Sequence, residues 1–163
     1  EDPAVLGPAL AERGLTLIGG VVFRPFHDPD KWDEVKDASV RTCRALVAHG
    51  ARHLVLIDSI SPRRAPTAGK PSEAEQMDKA EWTGFASRFR DIARMGTEEY
   101  GLTVSIHPHA AGFIDFEPEV ERLLGPSSPA VKATPGGIDL FASCSSFDEF
   151  KDLSEKLFLQ HKC

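Results

Sequence analysis

The chain has 163 residues, 41% of them hydrophobic, and a formal net charge of −6 with a pI near 5.5; that length suits one domain and that hydrophobic fraction excludes a disordered or fibrous chain. The acidic balance argues against a nucleic-acid partner, which asks for clustered positive charge. Cys43, Cys144 and Cys163 are widely spaced without C-x-x-C, which excludes a disulfide framework and a thiolate zinc site, and no apolar run reaches the roughly 18 residues of a membrane span, so no membrane partner and a cytoplasmic location are expected.

From the amino end, Val5 to Arg13 predicts a short helix closed at Gly14, where a left-handed residue commonly ends a helix. "LTLIGGVVF", 15–23, is a continuous apolar run with β-branched residues, the pattern of a strand buried on both faces. Asp28 caps the next helix with Pro29 in its first turn, and Trp32, Val35, Cys43, Leu46 and Val47 keep a helical period up to Gly50. "HLVLID", 53–58, is a second buried strand, followed by a loop of about nineteen residues containing Pro62, Pro66, Gly69 and Pro71. A helix then runs from about Asp78 to Tyr100, with Trp82, Phe85, Phe89 and Ile92 on one face and Gly101 as its stop. "LTVSIH", 102–107, is the third strand, and Pro118 to Leu124 starts another helix.

Strand-helix units repeated in this way predict an α/β fold with a parallel sheet and right-handed crossovers. After Leu124 the texture changes. Residues 125–137 form a Pro, Gly and Ser-rich linker. Beyond it a Ser146/Glu149 capping box and a stripe of Phe147, Phe150, Leu153 and Leu157 predict an amphipathic helix that packs on the domain or on a partner. The expected division is therefore 1–124 and 125–163.

In such a sheet, ligands meet the carboxyl ends of the strands. Those ends carry "FRPFHD" (23–28), "DSIS" (58–61) and "HPH" (107–109), all on one edge. Residues two apart on a strand point the same way, so His107 and His109 can converge with Thr103 and Ser105 where a divalent metal or a sugar hydroxyl could reach them. The plainer reading is that His107 finishes a strand before Pro108, and two histidines do not complete the three or four ligands of a catalytic metal site. Asp58 ends an apolar strand and must be hydrogen-bonded, paired or solvated; it reads either as a cap for the turn at Ser59 and Ser61 or as a ligand contact. His27 is open to the same two readings, whereas Asp28 is a helix cap. Glu117 suits the amino end of the last of these helices, and Asp115 could turn inward. Arg63, Arg64 and Lys70 lie on a loop that either closes over an anionic or hydroxylated ligand or stays exposed and mobile. "APTAGKPS" lacks the first glycine and the Ser/Thr of a phosphate loop, and neither G-x-G-x-x-G after a strand nor G-x-S-x-G occurs.

The succession "LAERGLTLIGG", "HDPDKWDEVKDASVRTCRALVAHGARHLVLID" and "EWTGFASRFRDIARMGTEEYGLTVSIHPHAAGFIDFEPEVERLL" resembles the sugar isomerase/epimerase superfamily with the xylose-isomerase-like barrel, and within it the inosose-dehydratase-like branch. The resemblance covers about residues 5–124. It implies a partial (β/α)8 TIM barrel of about three β/α units with a C-terminal linker and helix. It further implies a divalent metal (Mn, Co or Mg), a sugar, polyol or inosose as small-molecule substrate, and proton transfer beside a carbonyl leading to isomerisation, epimerisation or dehydration. By this resemblance His107 stands where related epimerases place a metal-binding glutamate, and His109 and Asp115 match polar positions that line the pocket. With His27 and Asp58 at the neighbouring strand ends, the expected substrate-binding set is His27, Asp58, His109 and Asp115, and the expected metal residue is His107.

A whole barrel needs about 250 residues, and the family's later strands, with their Asp, His and Glu, have no counterpart in "GPSSPAVKATPGGIDLFASC". Two expectations follow. The chain is either a shortened member of an enzyme family or a non-catalytic binding or interaction module, its open sheet protected by the tail helix or by a homo-oligomer.

Overall fold

The computed structural model describes residues 3–124, so the linker and helix expected over 125–163 lie outside the described residues. Helix α1 (Pro3–Glu12) ends at Gly14, where φ is 61° and the Leu15 amide donates to Leu10 O at 2.9 Å. Strands β1 (Gly19–Arg24), β2 (His53–Asp58) and β3 (Thr103–Ile106) form a parallel sheet in the order β1-β2-β3. Helix α2 (Trp32–Ala48) connects the first pair, α3 (Lys79–Glu98) the second, and α4 (Glu117–Leu124) follows β3.

The helix boundaries have local causes. Asp28 Oδ1 accepts from the Asp30 amide at 2.9 Å, and Pro29 opens a single 3-10 turn that runs into α2. Asp78 Oδ1 accepts from the amides of Ala80 and Glu81 at 2.7 and 2.8 Å, while Glu81 Oε2 accepts from the Asp78 amide, which closes a capping box at the start of α3.

Sheet register decides which residues meet the helices. A side chain at Gly20 would press on Leu46 and Thr42 of α2, and one at Gly96 of α3 would press on Val104 and Leu54. Gly20, Leu54 and Val104 are partners across the three strands, so this row faces the helix layer. Leu54 and Leu56 are buried there with Val35, Leu46, Phe85, Phe89 and Ile92. The alternate row, Val21, Val55 and Ser105, faces the other way.

That second face corrects the expectation for β1. The strand begins at Gly19, not at residue 15, and it is not buried on both faces: Val21 is 52% exposed and Phe23 37%. Leu15 and Ile18 are exposed as well, and ladder pairing starts where Ile18 O accepts from the Arg52 and His53 amides. Val47 at the end of α2 is likewise exposed and does not join the core stripe.

The two faces should respond differently to truncation. Leu54→Ala is expected to lower unfolding free energy by about 2–5 kcal/mol, and Val21→Ala by about 1 kcal/mol or less, both measured by denaturant titration of the full chain. Equal losses at the two positions would show that the face carrying Val21 is covered in solution.

Candidate functional site

The carboxyl edge of the sheet holds two separate polar clusters. The first lies on the helix side. Asp58, the last residue of β2, is buried to 1% exposure, and a carboxylate so placed needs its lone pairs filled. Its Oδ1 accepts from the His27 amide at 3.1 Å and from His27 Nδ1 at 2.8 Å; its Oδ2 accepts from the Phe113 amide at 2.9 Å. An ionised carboxylate cannot donate, so His27 Nδ1 is the donor of this bond. Arg88 reaches in from α3 and donates to Phe26 O at 2.6 Å and His27 O at 3.3 Å. Burial draws the Arg88 pKa down, opposed by the charges of Asp58 and Asp28.

The second cluster sits at the mouth of the other face, which no helix covers among the described residues. His107 follows β3, with its amide bonded to Leu56 O at 3.0 Å. The rings of His107 and His109 are 6.4 Å apart between centroids, and the Phe23 ring is 5.0 Å from that of His109. His109 Nδ1 lies 2.9 Å from Ala110 O, and because a carbonyl only accepts, Nδ1 carries a proton. Desolvation, and then the electrostatic effect of His109, hold the His107 pKa below its ordinary value, so His107 resists protonation at neutral pH.

The loop between β3 and α4 is held by carboxylates. Asp115 Oδ2 accepts from the Ala111 amide at 3.1 Å, and Glu119 Oε2 accepts from the amides of Asp115 and Phe116 at 2.9 and 3.0 Å. Glu119, not Glu117, therefore satisfies the amino end of α4. Glu119 is buried and pairs in a fork with buried Arg64, at 2.7 and 3.2 Å. Arg64 also donates to Glu75 O at 2.8 Å and lies over the rings of Phe113 and Phe116. Its neighbour Arg63 bonds Glu75 and Glu81. The segment after β2 is thus anchored to the starts of both α3 and α4; Arg63 and Lys70 are exposed, as one of the two expectations had it, whereas Arg64 is buried in an ion pair.

The structure therefore brings His27 to Asp58 and His107 to His109, and keeps Asp115 in the loop beside the second pair. The expectation from sequence missed two contributors and misplaced a third. Arg64 was expected on a ligand-facing or exposed loop, and its burial gave no signal because its partner is 55 residues away. Glu119 gave half of one, since a glutamate at the third helical position is the returning arm of a capping box, but Phe116 in front of the helix has no side-chain oxygen. Phe23 was read as core.

Among the described residues no group of three or more His, Cys, Asp or Glu could hold a metal. His107 and His109, with ring centroids 6.4 Å apart, supply two imidazoles, short of the three or four protein ligands of a catalytic metal site, so the described side chains do not by themselves make a site for the divalent metal that the sequence resemblance implies.

No protein-family profile matches the chain, and no curated protein matches it. Solved structures do. A xylose isomerase-like TIM barrel/4-hydroxyphenylpyruvate dioxygenase fusion protein aligns with a TM-score of 0.53 at 14% identity, over 76% of this chain and 18% of its own. The IOLI protein, crystallised with a zinc atom, aligns with 0.52 at 11% identity, over 71% of this chain and 40% of its own. An L-ribulose 3-epimerase aligns with 0.51 at 16% identity, over 76% and 41%. The chain thus spans less than half the length of each, and what it shares with them is the fold. It is an α/β chain with three parallel β/α units, folded like part of the TIM barrels of these structures.

Breaking one partner of a buried ion pair strands the other, so Arg64→Ala is expected to cost about 3–5 kcal/mol of stability, read from chemical denaturation. A second expectation concerns pH. The folded chain binds a proton at His107 less readily than the unfolded chain, whose imidazole sits near 6.5. The resulting stability is complete above pH 6.5 and is lost as pH falls through that value toward the lower folded pKa. His107 is exposed to solvent, so the loss should be small; comparing melting temperatures of wild type and His107→Ala between neutral and mildly acidic pH checks it. A steeper acid loss in the variant would reverse the sign.

Proposed function

We propose that this chain furnishes part of a sugar isomerase/epimerase-like barrel and binds a hydroxylated, carbonyl-bearing small molecule, a sugar or an inosose, at the rim formed by Phe23, His107 and His109. The observation that carries the reading is the placement of two imidazoles beside an exposed aromatic ring at the carboxyl edge of the sheet. Ligands of parallel α/β sheets bind at that edge, and the structural neighbours include an L-ribulose 3-epimerase.

Each side chain has a chemical task in this reading. Phe23 offers an apolar wall to the C–H face of a sugar ring. In its neutral form, with Nδ1–H bonded to Ala110 O, His109 uses Nε2 to accept a hydrogen bond from a ligand hydroxyl or to take a proton from a carbon next to a carbonyl. His107 stays uncharged at neutral pH and serves as a second acceptor. The zinc in the IOLI structure belongs to that protein. Metal-assisted isomerisation, epimerisation or dehydration would need donors beyond the two imidazoles of this rim, and no step through a metal is derived.

A non-catalytic interaction module is the second reading, favoured by exposed Val21, Phe23 and Ile60. Titration of the full chain with L-ribulose and with myo-inositol, followed by NMR of the histidine rings, separates the two. Saturable shifts of His107 and His109, weakened about three- to tenfold by His109→Ala as fits one neutral hydrogen bond, would support ligand binding. No shift with either probe would leave the module. Mn²⁺ is expected to leave the melting temperature unchanged; a rise that His107→Ala abolishes would bring back the metal site.

A further inference from the structure

The rim loop contains one non-glycine residue in the left-handed region, Ala111, with φ of 67°. Such a conformation persists where its surroundings over-determine it. Around Ala111 they do. Its amide donates to Asp115 Oδ2, its carbonyl accepts from the Ser61 amide at 2.9 Å, and on its carboxyl side the Gly112 amide donates back to His109 O at 2.9 Å. Gly112 itself has no room for a side chain, since a Cβ would stand 2.9 Å from Asp58 O and 3.1 Å from His109 O. The turn that leaves His109 therefore depends on Ala111 staying left-handed.

We infer that Asp115 is a positioning residue, which sets the placement of His109 by holding Ala111 in the left-handed conformation. Its own place is fixed from behind. The Asp115 amide is bonded to Glu119 Oε2, and Glu119 is gripped by the buried fork of Arg64. A side chain expected from sequence to contact ligand thus has its Oδ2 committed to the backbone of the turn. The inference concerns the same rim as the proposed function and rests on the reading that His109 meets the ligand.

Glycine adopts positive φ without the strain that alanine carries, so Ala111→Gly should remove the need for Asp115. The test uses the full chain as wild type, Asp115→Ala, Asp115→Asn and the double variant Asp115→Ala/Ala111→Gly. The readouts are the His109 ring resonances in proton–nitrogen NMR without ligand, then titration with L-ribulose and myo-inositol. Asp115→Ala should move the His109 signals and weaken probe binding at least threefold. Asp115→Asn, whose amide oxygen can accept the same N–H, should stay near wild type. The double variant should return the His109 signals to their wild-type positions and affinity to within about twofold.

Failure of Ala111→Gly to restore the signals would overturn the inference. So would unmoved His109 signals in Asp115→Ala, and if probe binding fell in that variant all the same, Asp115 would be a ligand contact and the functional reading would survive alone. If the signals move and are restored while no variant binds either probe, the positioning role holds and the sugar-binding reading falls.

Discussion

Burial of the Asp58 carboxylate at the end of the central strand is the constraint on which the rest depends. A charge taken out of water must be met by donors, and the donors available come from both flanking strand exits: the His27 backbone and ring after β1, and the Phe113 backbone after β3. One side chain thereby fixes how two loops leave the sheet. Loss of the carboxylate would leave two buried amides unmatched, a penalty of about 1–3 kcal/mol for each. It also explains why Gly112 is glycine, since the loop drawn in by Phe113 passes within contact of Asp58 O.

The Arg64–Glu119 pair extends that constraint outward. A buried ion pair contributes little net stability when its desolvation is counted, and its value here is geometric. Glu119 uses one oxygen chiefly for the guanidinium and the other for two amides at the head of α4, so the segment after β2 and the loop after β3 are tied at a single residue. The guanidinium also lies against Phe113, the residue whose amide Asp58 holds. The two carboxylates thus restrain the carboxyl half of the rim loop, at Phe113 and at Asp115 and Phe116, and Asp115 passes that restraint back to the Ala111 amide.

Much of this fold is legible in the sequence because its signals are local. Asp28 and Asp78 start helices, Gly14, Gly50 and Gly101 close them at positive φ, and the strand "HLVLID" coincides with β2. Periodicity could not tell that β1 has one bare face, because Val21 and Phe23 are as apolar as Val22 and only the partner layer distinguishes them. The site was legible as an edge and illegible as a geometry. "HPH" marks the rim by spacing alone, whereas the burial of Arg64 and the role of Glu119 arise from contacts across 55 residues that no local pattern encodes. Asp115 was singled out for the right loop, and its carboxylate turned out to be bonded to the backbone of that loop.

Strand parity then separates the polar residues of the carboxyl edge into two kinds. Asp58 shares the row of Leu54 and Leu56, which faces the helices, so its carboxylate enters a packed layer and becomes a latch. His107 shares the row of Ser105, which faces the open side, and His109 with Phe23 lies beside it. A single-residue shift of the β2 register would exchange these environments, placing a bare carboxylate on the open face and an apolar side chain in its stead against α3. The packing of Leu54 against Gly96 forbids that shift. The same apolar contact that stabilises the sheet therefore keeps the Asp58 carboxylate on the helix side, while the parity of β3 sets His107 on the other.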